Sequence, residues 1–280
     1  MTQLSVDEIL KSVRDLPPLP QSVERVLQLT DDPQSSVGEV AAAVSMDQAL
    51  VADILKLANS AYYGFSRRIG TIQEAIVLLG FATVRSLIFA SSVKGLLGRK
   101  MEGYFLEAGE LWRHSLGCAV AARIVAKRAR YRGVENAFVA GLLHDIGKVV
   151  LSFYVHDQFA AIVDLTKGTD ISFIQAEREV LGIDHCEVGS AIAQHWNLPD
   201  DLAAAIRDHH QPSRAGEARD LASIVHLADA LCLMMGVGIG GDGLLYPLCL
   251  DVLGQLGLDA RDIESLLSEV TTAVADIEKD

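Results

Sequence analysis

Helix-start signatures recur along this chain, and they restrict it to a helical architecture. A hydroxyl residue followed three positions later by Glu or Gln appears at Ser5/Glu8, Ser36/Glu39, Ser45/Gln48, Thr71/Glu74 and Ser172/Gln175. Asp184/Glu187 is a carboxylate variant of the same pattern. In such a capping box the first side chain accepts an N–H that the first helical turn leaves unsatisfied, and the second reaches back to the cap. Each signature precedes apolar residues at helical spacing, as with Ala49, Leu50, Ile54 and Leu57. Breakers fall between the runs, at Pro17, Pro18 and Pro20, at Asp31-Asp32-Pro33, at Asn197-Leu198-Pro199 and at Gln211-Pro212. Half of the 280 residues are apolar but only 6% are aromatic, a mixture that fills helix–helix interfaces better than a sheet sandwich. The expected fold is all-α, a helical bundle.

The pattern predicts helices near 5–14, 20–30, 36–45, 46–59, 71–79, 81–97, 107–131, 134–154, 157–167, 172–182, 185–196, 199–210, 217–235 and 259–277. A seam between Gly98 and Gly103 divides an N-terminal helical lobe, 1–100, from a second helical lobe, 101–280. All eight histidines follow the seam.

A net charge of −13 repels polyanions, so direct nucleic-acid binding is not expected. Ser36 to Ser60 has the outline of a helix-turn-helix, yet its second helix offers Asp47, Gln48 and Asp53, with Lys56 its only basic residue. The basic stretch Arg123, Lys127, Arg128, Arg130 and Arg132 reads as a solvated helix end, or as a docking patch for an acidic partner. Gly236, Gly238 and Gly241 satisfy GxGxxG but follow a helix instead of a strand, which marks a loop. The cysteines, Cys118, Cys186, Cys232 and Cys249, form no CxxC pair and read as small buried hydrophobes of a reducing compartment. Met1 to Leu10 has no apolar block of a signal peptide, and no uninterrupted apolar run reaches about 20 residues. The expectation is a cytoplasmic protein that does not enter the membrane.

Chemistry concentrates between Gly141 and Lys148. His144 and Asp145 are adjacent, about 100° apart if helical, so both can lean into one cavity. An imidazole and a carboxylate aimed at one point suit a borderline divalent metal. Lys148, one turn on, could meet a phosphate oxygen. Glu110 and His114 share a helix face at i, i+4. His185 follows the Asp184 cap, His209 and His210 close a helix, and Asp229 sits in an apolar run where an uncompensated carboxylate is expensive. Either these groups satisfy one another as a polar core network, or they hold a cation.

The series His114, His144-Asp145 and Asp229 resembles the HD phosphohydrolase superfamily pattern. Glu110, His185, His209 and His210 resemble the fuller ligand set of the HD-GYP phosphodiesterases. Upstream, Leu16 to Pro20, Asp31-Asp32-Pro33, Leu57 to Ala61 with Tyr63-Gly64, and Ile72 to Ile76 with Leu79-Gly80 closely resemble the HDOD, or HD-related output domain, family. That resemblance runs from about Leu16 to Leu231. It implies an all-α fold, a bacterial signal-transduction role and a metal site for one or two divalent ions, Fe, Mn, Zn or Mg. His114, His144, Asp145 and Asp229 are then the ligands of one ion, with His185, His209, His210 and Glu110 completing the set. Asp145 and Lys148 are the candidate catalytic residues. Implied partners are a signalling protein or a small phosphorylated ligand, with self-association a further option through an apolar surface of the first lobe. His156, His195 and His226 match no ligand position and are expected at the surface or in hydrogen-bonded core roles, with Trp112 and Trp196 as core or interface anchors. Asp47-Gln48 stands where the family has Asp-Pro. After His210 comes Gln211-Pro212-Ser213-Arg214-Ala215-Gly216 instead of the Glu and Gly-Tyr-Pro signature of cyclic di-GMP hydrolases. Two readings follow: a regulatory output module, and a metal-dependent phosphohydrolase acting on a nucleotide or cyclic dinucleotide.

Overall fold

The computed structural model describes residues 6–16, 18–32, 34–166, 171–238, 240 and 249–278. Among them the regular elements are helical. α1 (Val6–Arg14), α2 (Gln21–Asp31), α3 (Val37–Val44), α4 (Gln48–Ala58), α5 (Ile72–Leu79) and α6 (Phe81–Leu97) come first. α7 (Glu110–Arg128), α8 (Val134–Leu143), α9 (Gly147–Thr166), α10 (Phe173–Leu181) and α11 (His185–His195) follow. α12 (Asp200–Asp208), α13 (Arg219–Met234), α14 (Asp251–Gln255) and α15 (Ala260–Glu278) complete the order. Outside the helices, one isolated antiparallel bridge joins Met101 and Leu106.

Capping explains where several helices begin. Ser36/Glu39, Ser172/Gln175 and Asp184/Glu187 form reciprocal boxes. Thr71 accepts the Glu74 N–H, while the Glu74 carboxylate takes the Gly70 N–H instead of closing the box. Ser45 does not start α4: its hydroxyl bonds back to Ala41, and Asp47 caps by accepting the Leu50 N–H. A carboxylate two residues nearer the helix outcompetes the serine. Ser5 and Gly241 lie outside the described residues.

The chain forms two compact units, each discontinuous in sequence. One comprises Pro18–Gly95 and Thr271–Asp280. Its core is built from α2 to α6, with Val26, Val40, Val44, Ile54, Ile69, Ile76 and Ile88 buried together. Asn59 ties its longest connection down: the side-chain amide donates to the Leu55 and Ile69 carbonyls and accepts the Ile69 N–H. The other unit comprises Met1–Pro17 and Leu96–Val270. Contacts therefore group α1 with α7 to α14, an arrangement that the seam at Gly98–Gly103 does not anticipate.

α7 is the axis of this second unit. From His114 to Ala126 every residue is buried, with α8 and α13 packed along it. Arg123, expected on a solvated helix end, is instead buried. Its guanidinium pairs with Glu135 and lies 4.0 Å above the Phe138 ring, which gives the desolvated cation both a carboxylate and a π face. Arg128 pairs with Asp262 and Glu269 of α15, so the basic stretch is partly consumed within the fold.

The largest departure from the expected elements is at the chemical centre. A continuous helix over 134–154 is interrupted after Leu143, and α9 restarts at Gly147 and runs on to Thr166. Between them Ile146, Lys148 and Val149 donate to carbonyls three residues back, a tighter winding than the α-helix. Val134–His156 is long and apolar enough to cross a membrane by length and composition, although Glu135, Asp145 and Lys148 interrupt its apolar run. However, 89% of its apolar window is buried inside the protein, as in a core helix.

Candidate metal centre

The tightened junction between α8 and α9 carries His144 and Asp145. α7 contributes His114, the start of α11 contributes His185, the end of α12 contributes His209 and His210, and α13 contributes Asp229. All seven groups are buried, none more than 9% exposed. Asp145 lies at their middle. Its Oδ2 is 3.4 Å from His144 Nε2 and 3.6 Å from His114 Nε2, while its Oδ1 is 3.5 Å from His185 Nε2. Asp229 Oδ1 lies 3.2 Å from His114 Nε2 and 3.8 Å from His144 Nε2. The imidazoles continue onward, His144 edge-to-face with His209 at a ring-centroid distance of 5.0 Å and His209 tilted against His210 at 4.0 Å.

The outer nitrogens fix which way these rings face. His114 Nδ1 donates to the Val237 carbonyl, His144 Nδ1 to Gly141 and His209 Nδ1 to Ile206. His185 Nδ1 donates to the Glu177 carboxylate at 2.7 Å. A carbonyl can only accept, so each Nδ1 carries the proton and each Nε2 is turned inward. This is the orientation that a carboxylate or carbonyl behind a histidine gives a metal ligand. Nε2 of His144 and of His209 are buried and make no hydrogen bond. Such orphaned acceptors cost about 1–3 kcal/mol each unless a cation or water meets them. The donor set therefore fits a divalent metal on observations internal to the fold.

His226 shows the contrast. Its Nδ1 donates to the His209 carbonyl and its Nε2 accepts the Cys249 N–H, so both nitrogens are used structurally. Glu110, expected among the ligands, is not in these donor groups. Its Oε2 accepts the Glu107 N–H at 2.6 Å and closes the turn that enters α7. A carboxylate in the first turn is held by the exposed backbone donors there. Lys148 is buried, with Nζ 2.8 Å from Asp145 Oδ2 and 5.5 Å above the Tyr104 ring.

Three residues near the centre escaped the sequence reading. Glu177 is fully buried and receives the Tyr104 hydroxyl as well as the His185 ring and backbone N–H. Its signal was an acid in phase with Phe173 and Leu181 on the apolar face of α10. Cys118 Sγ is 3.5 Å from His114 Nε2, and Cys186 Sγ is 3.4 Å from His185 Nε2. Their i, i+4 and adjacent spacings to those histidines were legible but were read as packing.

Electrostatics divides the imidazoles. Burial works against a charge on His114, but the hydrogen bond and charge of Asp229, with Asp145 beyond, raise its pKa to about 9. His185 is also raised: against burial, the neighbouring Cys186 and Glu177 favour its cation. Burial lowers His209 to about 3, and His210 falls for the same reason. Asp229 is held at about 2, where the His114 and His144 interactions overcome desolvation. A proton held on His114 stabilises the fold below pH 6.5, and this contribution is lost as pH rises through about 9. A His209 kept neutral works the other way, since stability is lost as pH falls from 6.5 toward about 3. The chelator-treated protein is therefore expected to show a thermal midpoint highest near pH 6.5 and lower on both sides. A divalent ion should flatten the alkaline side, because it takes the place of the His114 proton. Calorimetry across pH with and without metal checks this. A midpoint that climbs steadily from pH 6.5 to 9 without metal contradicts it.

An all-helical protein with a buried cluster of imidazoles and carboxylates is the class that this fold and centre define. The chain matches the model of the HDOD domain over residues 16–212, and it belongs to the HDOD family. Among solved structures it is similar to an HDOD domain protein of unknown function from Geobacter sulfurreducens, at 29% identity and a TM-score of 0.75, with 98% of this chain and 99% of that one covered. A candidate phosphohydrolase from Shewanella amazonensis matches at 28% identity and a TM-score of 0.75, covering 97% of each chain. A candidate signal transduction protein from Marinobacter aquaeolei matches at 25% and 0.76, covering 99% of this chain and 62% of that one. An uncharacterized protein of Treponema pallidum is 28% identical over 79% of this chain, which spans 43% of that relative's length.

Proposed function

We propose that this chain is a regulatory output module of bacterial signal transduction whose HD-type core is organised around a divalent metal centre. Burial is the observation that carries the reading. Every donor is at most 9% exposed, so the centre is closed in the manner of a structural or state-reporting ion. His114, His144, Asp145 and Asp229 are suited to hold one ion. His185, His209 and His210 are suited to a second, with Asp145 facing both groups. The buried Lys148–Asp145 pair supports the same view, because a lysine committed to a ligand carboxylate is not presented to a substrate phosphate. A signalling protein or a small phosphorylated ligand in the cytoplasm is the partner class that this reading implies.

The second reading is a metal-dependent phosphohydrolase. It is favoured by the position of Asp145 between two imidazole groups, an arrangement that suits a two-ion site. Bound divalent ions supply Lewis acidity there, acidifying water and offsetting charge on a phosphoryl group. The candidate phosphohydrolase among the similar structures also supports it.

The two separate in one set of assays. Zn(II), Fe(II) or Mn(II) should raise the thermal midpoint of wild type by several degrees and leave His144→Ala and Asp145→Ala unmoved. Bis(p-nitrophenyl) phosphate and cyclic dinucleotides should turn over no faster with wild type than with either variant. Turnover confined to wild type favours the hydrolase instead.

A further inference from the structure

We propose that Cys118 and Cys186 are metal ligands, one sulfur in each donor group, so that the centre takes a thiophilic ion of the zinc or ferrous class in preference to magnesium. The inference rests on the metal centre proposed above and specifies its ion. Two groups of four donors stand out in the cluster. His114, Cys118, His144 and Asp229 form one, and His185, Cys186, His209 and His210 form the other. Within each group, one donor atom from every residue lies within 4.8 Å of the rest, and all eight residues are buried.

Chain geometry delivers the sulfurs. Cys118 is one turn beyond His114 on the same face of α7, and Cys186 follows His185 in the first turn of α11. A tetrahedral site with zinc–sulfur bonds of about 2.3 Å and zinc–nitrogen bonds of about 2.0 Å has sulfur–nitrogen edges of about 3.5 Å. The observed separations, 3.5 Å for Cys118 Sγ to His114 Nε2 and 3.4 Å for Cys186 Sγ to His185 Nε2, already match that edge. Simple hydrogen bonding accounts for less. Three atoms converge on His114 Nε2, namely Cys118 Sγ, Asp229 Oδ1 and Asp145 Oδ2, and one ring nitrogen offers a single site. Each group also contains a buried imidazole nitrogen without a hydrogen bond, His144 Nε2 in one and His209 Nε2 in the other. A cation at the centre of each group meets that group's four donors at once. Sulfur donors favour zinc and ferrous ions and disfavour magnesium, which demands oxygen. Cys232, fully buried on α13 three residues after Asp229, is the alternative sulfur.

Cobalt(II) is the probe, added to the chelator-stripped full chain, because a cobalt–thiolate bond gives an intense near-ultraviolet charge-transfer band. Wild type should show that band, Cys118→Ser and Cys186→Ser should each keep about half of it, and the double variant should lose it. Cys249→Ser should leave it unchanged. Circular dichroism reports whether each variant folds, and Cys→Ala versions replace any that does not. Cobalt bound with only weak visible bands overturns the thiolate assignment and leaves the metal centre standing. A band that survives the double variant and disappears with Cys232→Ser also overturns it. No cobalt bound to wild type in equilibrium dialysis overturns both.

Discussion

Gly147→Ala is expected to destabilise the second unit by about 3 kcal/mol or more, with a lower urea midpoint and weakened metal binding. Helix propensity alone predicts the opposite sign, since alanine is favoured over glycine in a helix by about 1 kcal/mol. Packing decides the matter. A Cβ at this position would stand 1.9 Å from the His185 carbonyl oxygen and 2.7 Å from the Gly189 nitrogen. Both are backbone atoms, so no side-chain rotation relieves the overlap and α9 must move away from α11. That movement carries His185 away from Asp145, which is why the metal affinity should fall with the stability. An unchanged or raised midpoint would mean that the α9–α11 approach is not as close as described.

Asp145→Ala should cost a similar amount for an electrostatic reason. The carboxylate is held well below the usual range: burial opposes its charge, but Lys148 and the surrounding imidazoles more than offset this. Its removal deprives the buried Lys148 ammonium of a carboxylate 2.8 Å away, and breaking one side of a buried pair costs about 3–5 kcal/mol. The same change removes the group that faces both sets of imidazoles. Asp145→Ala with Lys148→Met should recover much of the stability, because an apolar chain replaces the stranded cation. It should recover none of the metal binding. Urea denaturation and equilibrium dialysis on the single and double variants separate the two effects. A double variant that regains metal would show that Asp145 acts only through Lys148.

The helical fold was legible because its signals are local. Ser36, Ser172 and Asp184 cap their helices through atoms three residues away, and apolar periodicity needs no tertiary knowledge. Where two local signals competed, as at Ser45 and Asp47, the pattern alone chose the wrong cap. The interruption at His144–Ile146 carries no proline or cap signature, and beside it Gly147 approaches α11, a contact between residues far apart in sequence. For the centre, residue type and resemblance named seven groups that the fold brings together, but not their division by the two faces of Asp145. Glu110 stands outside the donor groups, and its Oε2 takes the Glu107 N–H, because i, i+4 spacing says which face a side chain shares and not which donor it meets there. Cys118 and Cys186 were passed over because an isolated cysteine in an apolar run looks the same whether it packs or coordinates. Their spacing from His114 and His185 is legible in the sequence, but that each sulfur turns toward the Nε2 of its histidine is visible only once the side chains are placed.

Elemental analysis of the purified full chain, paired with His144→Ala, tests the central claim most directly. The account predicts a zinc- or iron-class ion bound at up to two per chain in wild type, with the content falling sharply in the variant. Wild-type protein that carries no such ion, and takes none up when it is supplied, would reduce the buried imidazoles and carboxylates to a self-satisfied polar core.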